Sequence, residues 1–173
     1  GTDVTISDDA TLMAVGARKG DGFSDASTDS GEVYLYKFDD GDFTNATLIG
    51  RIGKGYTGNN DLDISSLTKA DKFGRSVSFD STGSRLVVGA TGDDGNPNNN
   101  DNNNVTNAGA VYLITFTDSN GNASTNFENP EHVGTIGYGY TNDKDVDLSK
   151  QGGNKAPVIE ASDLFGVCVA LDG

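Results

Sequence analysis

The chain has 173 residues and carries 12 basic and 26 acidic side chains, which give a formal net charge of −14. Its length fits one domain or two small ones. The acidic balance argues against binding to nucleic acid or to an anionic membrane surface, because both require clusters of Lys and Arg. No apolar run approaches the roughly 20 residues that span a bilayer, so we expect no insertion into a membrane.

One strand-like pattern occurs at the beginning, in the middle and at the end of the chain. Residues 73–80 read Phe-Gly-Arg-Ser-Val-Ser-Phe-Asp, residues 165–172 read Phe-Gly-Val-Cys-Val-Ala-Leu-Asp, and residues 1–7 match from the glycine onward. In the middle copy, apolar side chains alternate with small or polar ones, and the other two copies keep the apolar positions. This alternation is typical of a half-buried β-strand.

Three further strings follow the first in the same order in both halves of the chain. Residues 12–17 match 85–90 at a spacing of 73, residues 31–36 match 109–114 at 78, and residues 50–57 match 134–141 at 84. The spacing grows only between the strings, as expected of loops on a fixed scaffold. Asp-Gly and Asn-Gly turns at residues 39–42 and 118–121 predict hairpins between the third and fourth strands.

These strings predict an all-β protein of tandem four-stranded antiparallel repeats, each similar to a propeller blade. We predict a first repeat at residues 1–72, which lacks the start of its first strand, and a second repeat at residues 73–164. Residues 165–173 are then the first strand of a third repeat. Unpaired strand edges in such a unit favour assembly into a filament or a longer array.

Two acidic pairs recur in register after the fourth strand of each repeat: Asp61 with Asp63, and Asp145 with Asp147. Carboxylate oxygens are ligands that Ca²⁺ prefers, which makes the pairs candidate calcium ligands. No EF-hand spacing is present, and the alternative is that these carboxylates are solvated turn residues.

Three Asn-x-Ser/Thr sequons fall at or beside predicted turns, at Asn45, Asn104 and Asn122. Their placement on loops fits N-linked glycans and therefore an extracellular or cell-surface protein.

The sequence offers no convincing catalytic motif. His132 is the single histidine and aligns with Leu48, a strand position, so a Ser-His-Asp set is not expected. Residues 53–58 match G-x-G-x-x-G, but no helix follows them and the second repeat has Asn142 in place of the last glycine. We expect no enzymatic activity, although a hydrolase that uses two carboxylates stays open because acidic residues are plentiful.

The order of motifs resembles the FG-GAP repeat of integrin-α-type β-propellers, and more closely the variant found in large bacterial and algal surface proteins. Phe73-Gly74 is followed by a strand that ends in Val88-Gly89-Ala90 and then by Gly-x-Val-Tyr-Leu at residues 109–113. The resemblance implies a four-stranded blade and a role in adhesion or cell-surface architecture without catalysis. The calcium loop usual in that family is here only residues 80–84, which is short and carries little charge.

We therefore predict a structural protein of a surface fibre, held by β-strand pairing between repeats, whose partner is itself or neighbouring repeats of a longer chain. An adhesive or glycan-binding module is the alternative, with Tyr56 and Tyr140 as stacking surfaces. The predicted assembly contacts lie on the apolar sides of the terminal strands: Val4, Ile6, Phe165, Val167, Val169 and Leu171.

Overall fold

The computed structural model describes residues 1–96, 105–149 and 159–172. Within these ranges it contains one 3-10 turn, Phe23–Asp25, and two sets of five β-strands. The first set is β1 (Asp3–Ile6), β2 (Leu12–Ala17), β3 (Glu32–Lys37), β4 (Thr47–Gly53) and β5 (Leu62–Asp63). The second set is β6 (Phe73–Phe79), β7 (Arg85–Ala90), β8 (Ala110–Thr115), β9 (Glu131–Gly137) and β10 (Val146–Asp147).

Each set of strands forms its own sheet, in the order of the chain. The first four strands of each sheet pair antiparallel, which confirms the predicted all-β repeats. A short fifth strand, which the sequence did not predict, runs parallel to the fourth. It places Leu62 beside Ile52 in the first sheet and Val146 beside Ile136 in the second.

The main hydrophobic core lies where the two sheets pack face to face. The first sheet contributes alternate side chains such as Leu12 and Leu35, and the second contributes Val77, Phe79 and Leu86. Full burial of one such side chain stabilises the fold by about 1.5–3 kcal/mol.

Each sheet has two faces. We call the face that is directed toward the following repeat the front face, and the opposite face the back face.

The turns predicted between the third and fourth strands lie within longer connections. Residues 38–46 join β3 to β4, and residues 116–130 join β8 to β9. One acidic side chain organises each turn: Asp40 accepts the N–H of Asp42 at 3.0 Å, and Asp118 accepts the N–H of Asn120 at 2.8 Å.

The predicted first strand of a third repeat, residues 165–173, stays a prediction, although most of this segment carries no regular structure here. Phe165 alone is paired, in a single bridge to Gly109, and residues 166–172 follow without regular structure. In both repeats the first strand is held by the second strand beside it, and within the described ranges no second strand lies beside this segment. We call residues 159–172 the C-terminal segment.

Candidate functional site

The first strand of the second repeat docks on the front face of the first repeat. β6 packs against β1 and β2. The N–H of Val77 donates to Asp3 Oδ2 at 2.9 Å, and the N–H of Phe79 donates to Thr5 Oγ1 at 3.2 Å. These bonds use the edge of β6 that faces away from β7, so they satisfy amide groups that the sheet itself leaves open.

The C-terminal segment repeats this contact on the second repeat. The N–H of Leu171 donates to Ser78 Oγ at 3.0 Å. Leu171 matches Phe79 in the alignment of the repeats, and Ser78 matches Thr5. The same donor and acceptor positions therefore meet at both repeat boundaries.

Glycines allow the backbones to approach closely at each boundary. A Cβ atom built on Gly16 would lie 2.2 Å from the carbonyl oxygen of Gly74, and one built on Gly89 would lie 2.0 Å from that of Gly166. No side chain fits at such distances. The Val-Gly-Ala string of one repeat therefore meets the Phe-Gly pair of the next, which gives both motifs a physical reason.

The phenylalanine of the Phe-Gly pair is fixed by a single parallel bridge. Phe73 pairs with Gly31, and its N–H donates to the carbonyl of Ser30 at 2.9 Å. Phe165 pairs with Gly109 in the same way, and its N–H donates to the carbonyl of Ala108 at 2.8 Å. Within the described residues the two sheets remain separate and are joined by face packing with these single bridges. Strand pairing that holds a fibre together stays a prediction.

A pair of tyrosines surrounds one carboxylate in each repeat. In the second repeat Asp93 accepts the hydroxyl groups of Tyr112 at 2.7 Å and Tyr140 at 2.9 Å. In the first repeat Glu32 accepts the hydroxyl of Tyr34 at 2.5 Å and also that of Tyr56. The tyrosines match in the alignment, whereas the carboxylates do not.

Burial and charge keep these tyrosines protonated. The hydrogen bond to Glu32, with a smaller contribution from burial, raises the pKa of Tyr34 to about 12. Burial, followed by the charge of Asp93, raises the pKa of Tyr112 and Tyr140. Burial also raises the pKa of Asp93 itself. The clusters hold the third strand to the turns that follow β4 and β9.

The candidate calcium ligands bind backbone amides in both repeats. Asp61 accepts the N–H groups of Arg51 at 2.8 Å and Gly58 at 3.0 Å, and Asp145 makes the same two bonds in the second repeat. Asp63 accepts the N–H of Gly55, and Asp147 that of Gly139. Across residues 1–96, 105–149 and 159–172, no group of three or more His, Cys, Asp or Glu is arranged to hold a metal. Calcium binding by these residues stays a prediction.

Two of the three sequons lie on exposed turns, and Asn104 lies outside the described residues. The amide of Asn45 donates to Asp39 at 2.7 Å, and that of Asn122 donates to Asp118 at 3.3 Å. Their glycosylation stays a prediction.

The predicted assembly residues fall on two different surfaces. Val4 and Ile6 lie on the back face of the first sheet, where they are 53% and 41% exposed. The others lie in the C-terminal segment: Val167 is exposed, whereas Phe165, Val169 and Leu171 are half-buried. The sequence did not single out the polar front-face residues Asp3, Thr5 and Ser78 or the carboxylates Glu32 and Asp93.

Two blade-like sheets, stacked face to face through the first strand of each repeat, define a β-propeller-like repeat module. The family model described as the FG-GAP repeat matches residues 65–114, which include β6, β7 and most of β8. Residues 65–114 are therefore similar to an FG-GAP repeat, a class of repeat that is typically extracellular, and the resemblance seen in the sequence is confirmed over that stretch. No curated protein matches the chain significantly. None of the helical structure in the described ranges is long and apolar enough to cross a membrane.

Proposed function

We propose that this chain is a structural module of an extracellular repeat array, in which every repeat docks its first strand on the front face of the repeat before it. The observation that supports this proposal most directly is the recurrence of the same backbone contact at residues 79 and 171. A contact that occurs at two successive boundaries is one that an array can continue.

The back face of the first sheet is the place where a further repeat would dock. Val4 and Ile6 are exposed there, whereas the matching Val77 and Phe79 of the second repeat are only 4% and 5% exposed because the first repeat covers them. The partner is a neighbouring repeat of the same type that presents glycines at the positions of Gly16 and Gly31, or a second copy of this chain in which β1 displaces the C-terminal segment from Gly89 and Gly109. Such head-to-tail contacts build open filaments when the rotation between units does not close a ring.

The alternative functions receive less support from the geometry. Tyr56 and Tyr140 are each 6% exposed and their hydroxyl groups bind carboxylates, so they are unsuitable as stacking surfaces for a glycan. For a hydrolase that uses two carboxylates, Asp71 and Asp93 line a cavity of only about 70 Å³, whereas a cavity of about 700 Å³ is lined, in the part of the chain that the structure describes, by the single carboxylate of Asp145. Ligand pockets usually enclose about 300–1,000 Å³. We therefore propose a structural role and no catalytic one.

Sedimentation velocity at increasing protein concentration, combined with electron microscopy, tests self-association. We expect the unaltered chain to form linear oligomers and Val4→Asp to remain monomeric, because the substitution places a charge in an apolar contact. Phe43→Asp is the matched control: Phe43 is 52% exposed in the connection between β3 and β4, outside the faces of the sheets, and its replacement should leave the oligomers intact.

A monomer at every concentration would contradict assembly from separate copies. An array of repeats within one longer chain is then tested with two copies of this chain joined in one polypeptide. The docking contact predicts that the fused pair unfolds at a higher temperature than the single chain, and that Val4→Asp in the second copy abolishes this gain. An unchanged unfolding temperature would contradict the array in either form.

A further inference from the structure

Two buried carboxylates meet at the junction between the repeats. Asp71 belongs to the connector, which we define as residues 64–72, and Asp93 lies in the loop after β7. They are 3% and 2% exposed. Both line the cavity of about 70 Å³, together with Asp94 and Tyr140.

The groups that bind these carboxylates are neutral. Asp71 accepts the N–H of Thr68 at 2.6 Å and its hydroxyl at 2.9 Å. Asp93 accepts the two tyrosine hydroxyls and the N–H of Gly95 at 2.8 Å. Among the described residues, no basic side chain lines this cavity. Two anions that share it repel each other, and burial adds to the cost of ionising both.

We propose that Asp71 and Asp93 hold one proton between them and act as a pH-sensitive clasp between the connector and the second repeat. Burial, assisted by the charges of Asp93 and Asp94, raises the pKa of Asp71 to about 7. Asp94 is the further acid that lines the cavity within the described part of the chain. Tyr112 and Tyr140 stay neutral there because burial raises the pKa of each hydroxyl.

Backbone bonds transmit the state of the clasp to both repeats. The carbonyl of Asp71 accepts the N–H of Gly92 at 2.8 Å, which ties the connector to the loop that carries Asp93. On the other side, the N–H groups of Ala70 and Lys72 donate to the carbonyls of Thr28 and Asp29 in the first repeat, at 3.0 and 3.1 Å. Repulsion between the ionised carboxylates therefore acts on the connector, which joins the two sheets.

The direction of the pH effect follows from linkage. The pKa of Asp71 is higher in the folded chain than the ordinary value of 3.8. The stabilisation is therefore complete below about pH 4 and is lost as the pH rises through about 7. His132 acts in the opposite sense, because burial lowers its pKa and its stabilisation is lost as the pH falls. Because His132 is present both in the unaltered chain and in Asp71→Asn, its contribution cancels in the difference between their unfolding temperatures.

Thermal unfolding between pH 5 and 8 tests the clasp in the unaltered chain and in Asp71→Asn. We expect the unfolding temperature of Asp71→Asn, relative to the unaltered chain, to rise by about 5–10 °C from pH 5 to pH 8. The control is Asp143→Asn, which removes an exposed carboxylate and should follow the unaltered chain at every pH. Parallel curves for Asp71→Asn and the unaltered chain would overturn the proposal.

Two further measurements test the clasp in the unaltered chain alone. The amide of Gly92 should exchange with solvent several-fold faster, relative to amides in the centre of β8, at pH 8 than at pH 6 after correction for the intrinsic pH dependence. This measurement needs no variant, so it remains decisive if Asp71→Asn does not fold. If added Ca²⁺ restores at pH 8 the unfolding temperature seen at pH 5, the pair holds a cation and not a proton, and the proposal is wrong.

Discussion

The two repeats build the same tyrosine cluster around carboxylates that come from different positions in the chain. Glu32 begins β3 in the first repeat, and its counterpart in the second is Ala110. Asp93 follows β7, and its counterpart is Gly20. A Cβ built on Gly20 would lie 2.4 Å from the side chain of Glu32, so the two carboxylates compete for one place. What the repeats maintain is an acceptor between two tyrosines, not an acid at one position of the alignment.

The repeats also differ in what covers them. Tyr112 and Val77, on the back face of the second sheet, are buried under the first repeat. The matching Tyr34 is half-buried and Val4 is exposed. The back face of the second sheet is therefore buried in an interface, whereas the back face of the first sheet is exposed. Each residue of one repeat can be compared with its counterpart in the other by mutation.

The largest expected difference concerns the glycines at the two boundaries. Gly16 lies between two complete sheets, whereas Gly89 lies under the C-terminal segment and the hydroxyl of Ser76. Gly16→Ala must push the two sheets apart and should lower the free energy of unfolding by about 3 kcal/mol, the upper range for overpacking. Gly89→Ala should cost about 1 kcal/mol, because the C-terminal segment can move away and the Ser76 side chain can rotate. Urea unfolding measures both.

Gly121→Ala is the control for these substitutions. No atom lies within 4 Å of a Cβ built on Gly121, so its cost is the strain of a backbone φ of 80°. That strain is about 1–2 kcal/mol. If Gly16→Ala cost no more than Gly121→Ala, the close approach of the backbones would not determine the stability of the boundary.

A smaller effect is expected from exchanging the carboxylates. Glu32→Ala leaves the buried hydroxyl of Tyr56 without its acceptor and should cost about 1–3 kcal/mol. Adding Gly20→Asp supplies the acid as in the second repeat and should restore part of that loss. Gly20→Asp alone should destabilise the chain, because the new side chain meets that of Glu32. A double-mutant cycle by urea unfolding measures the coupling.

Absorbance titration of the tyrosines measures the loss of the hydrogen bond to Glu32 independently of the unfolding experiment. The pKa of Tyr34, about 12 in the unaltered chain, should fall toward 10 in Glu32→Ala, because the bond to Glu32 is the largest cause of the shift. Glu131→Ala, which removes an exposed acid at the start of β9, should leave that titration unchanged. If the effects of Glu32→Ala and Gly20→Asp in the double-mutant cycle were additive, the two acids would not substitute for each other between the tyrosines.

The strand pattern could be predicted from the sequence because alternation of side chains and repetition of strings are local signals. The Phe-Gly and Val-Gly-Ala strings marked β6 and β7, but their sequences do not say that Gly74 and Gly16 meet across the boundary. That contact depends on how two sheets stack. The short strands β5 and β10 have only two residues each, too few for a periodic signal.

The candidate site was only partly predictable. Val4 and Ile6 are recognisable as apolar, whereas the polar residues that alternate with them, Asp3 and Thr5, accept the hydrogen bonds from β6. Their alternation with the apolar residues could have indicated the second face. The acidic pair that includes Asp61 was interpreted as a possible ligand set, because backbone amides that converge on a carboxylate cannot be seen in a sequence.

Amide hydrogen exchange at Val77 and Phe79 tests the central claim most directly. Their N–H groups point away from β7 and donate to Asp3 and Thr5 of the first repeat. Docking of the repeats predicts that both amides exchange slowly, at rates similar to those in the centre of β8, and that Thr5→Val accelerates Phe79. Exchange as fast as that of the exposed turn at residues 119–122 would contradict the claim, because it would mean that the two sheets are not docked in solution.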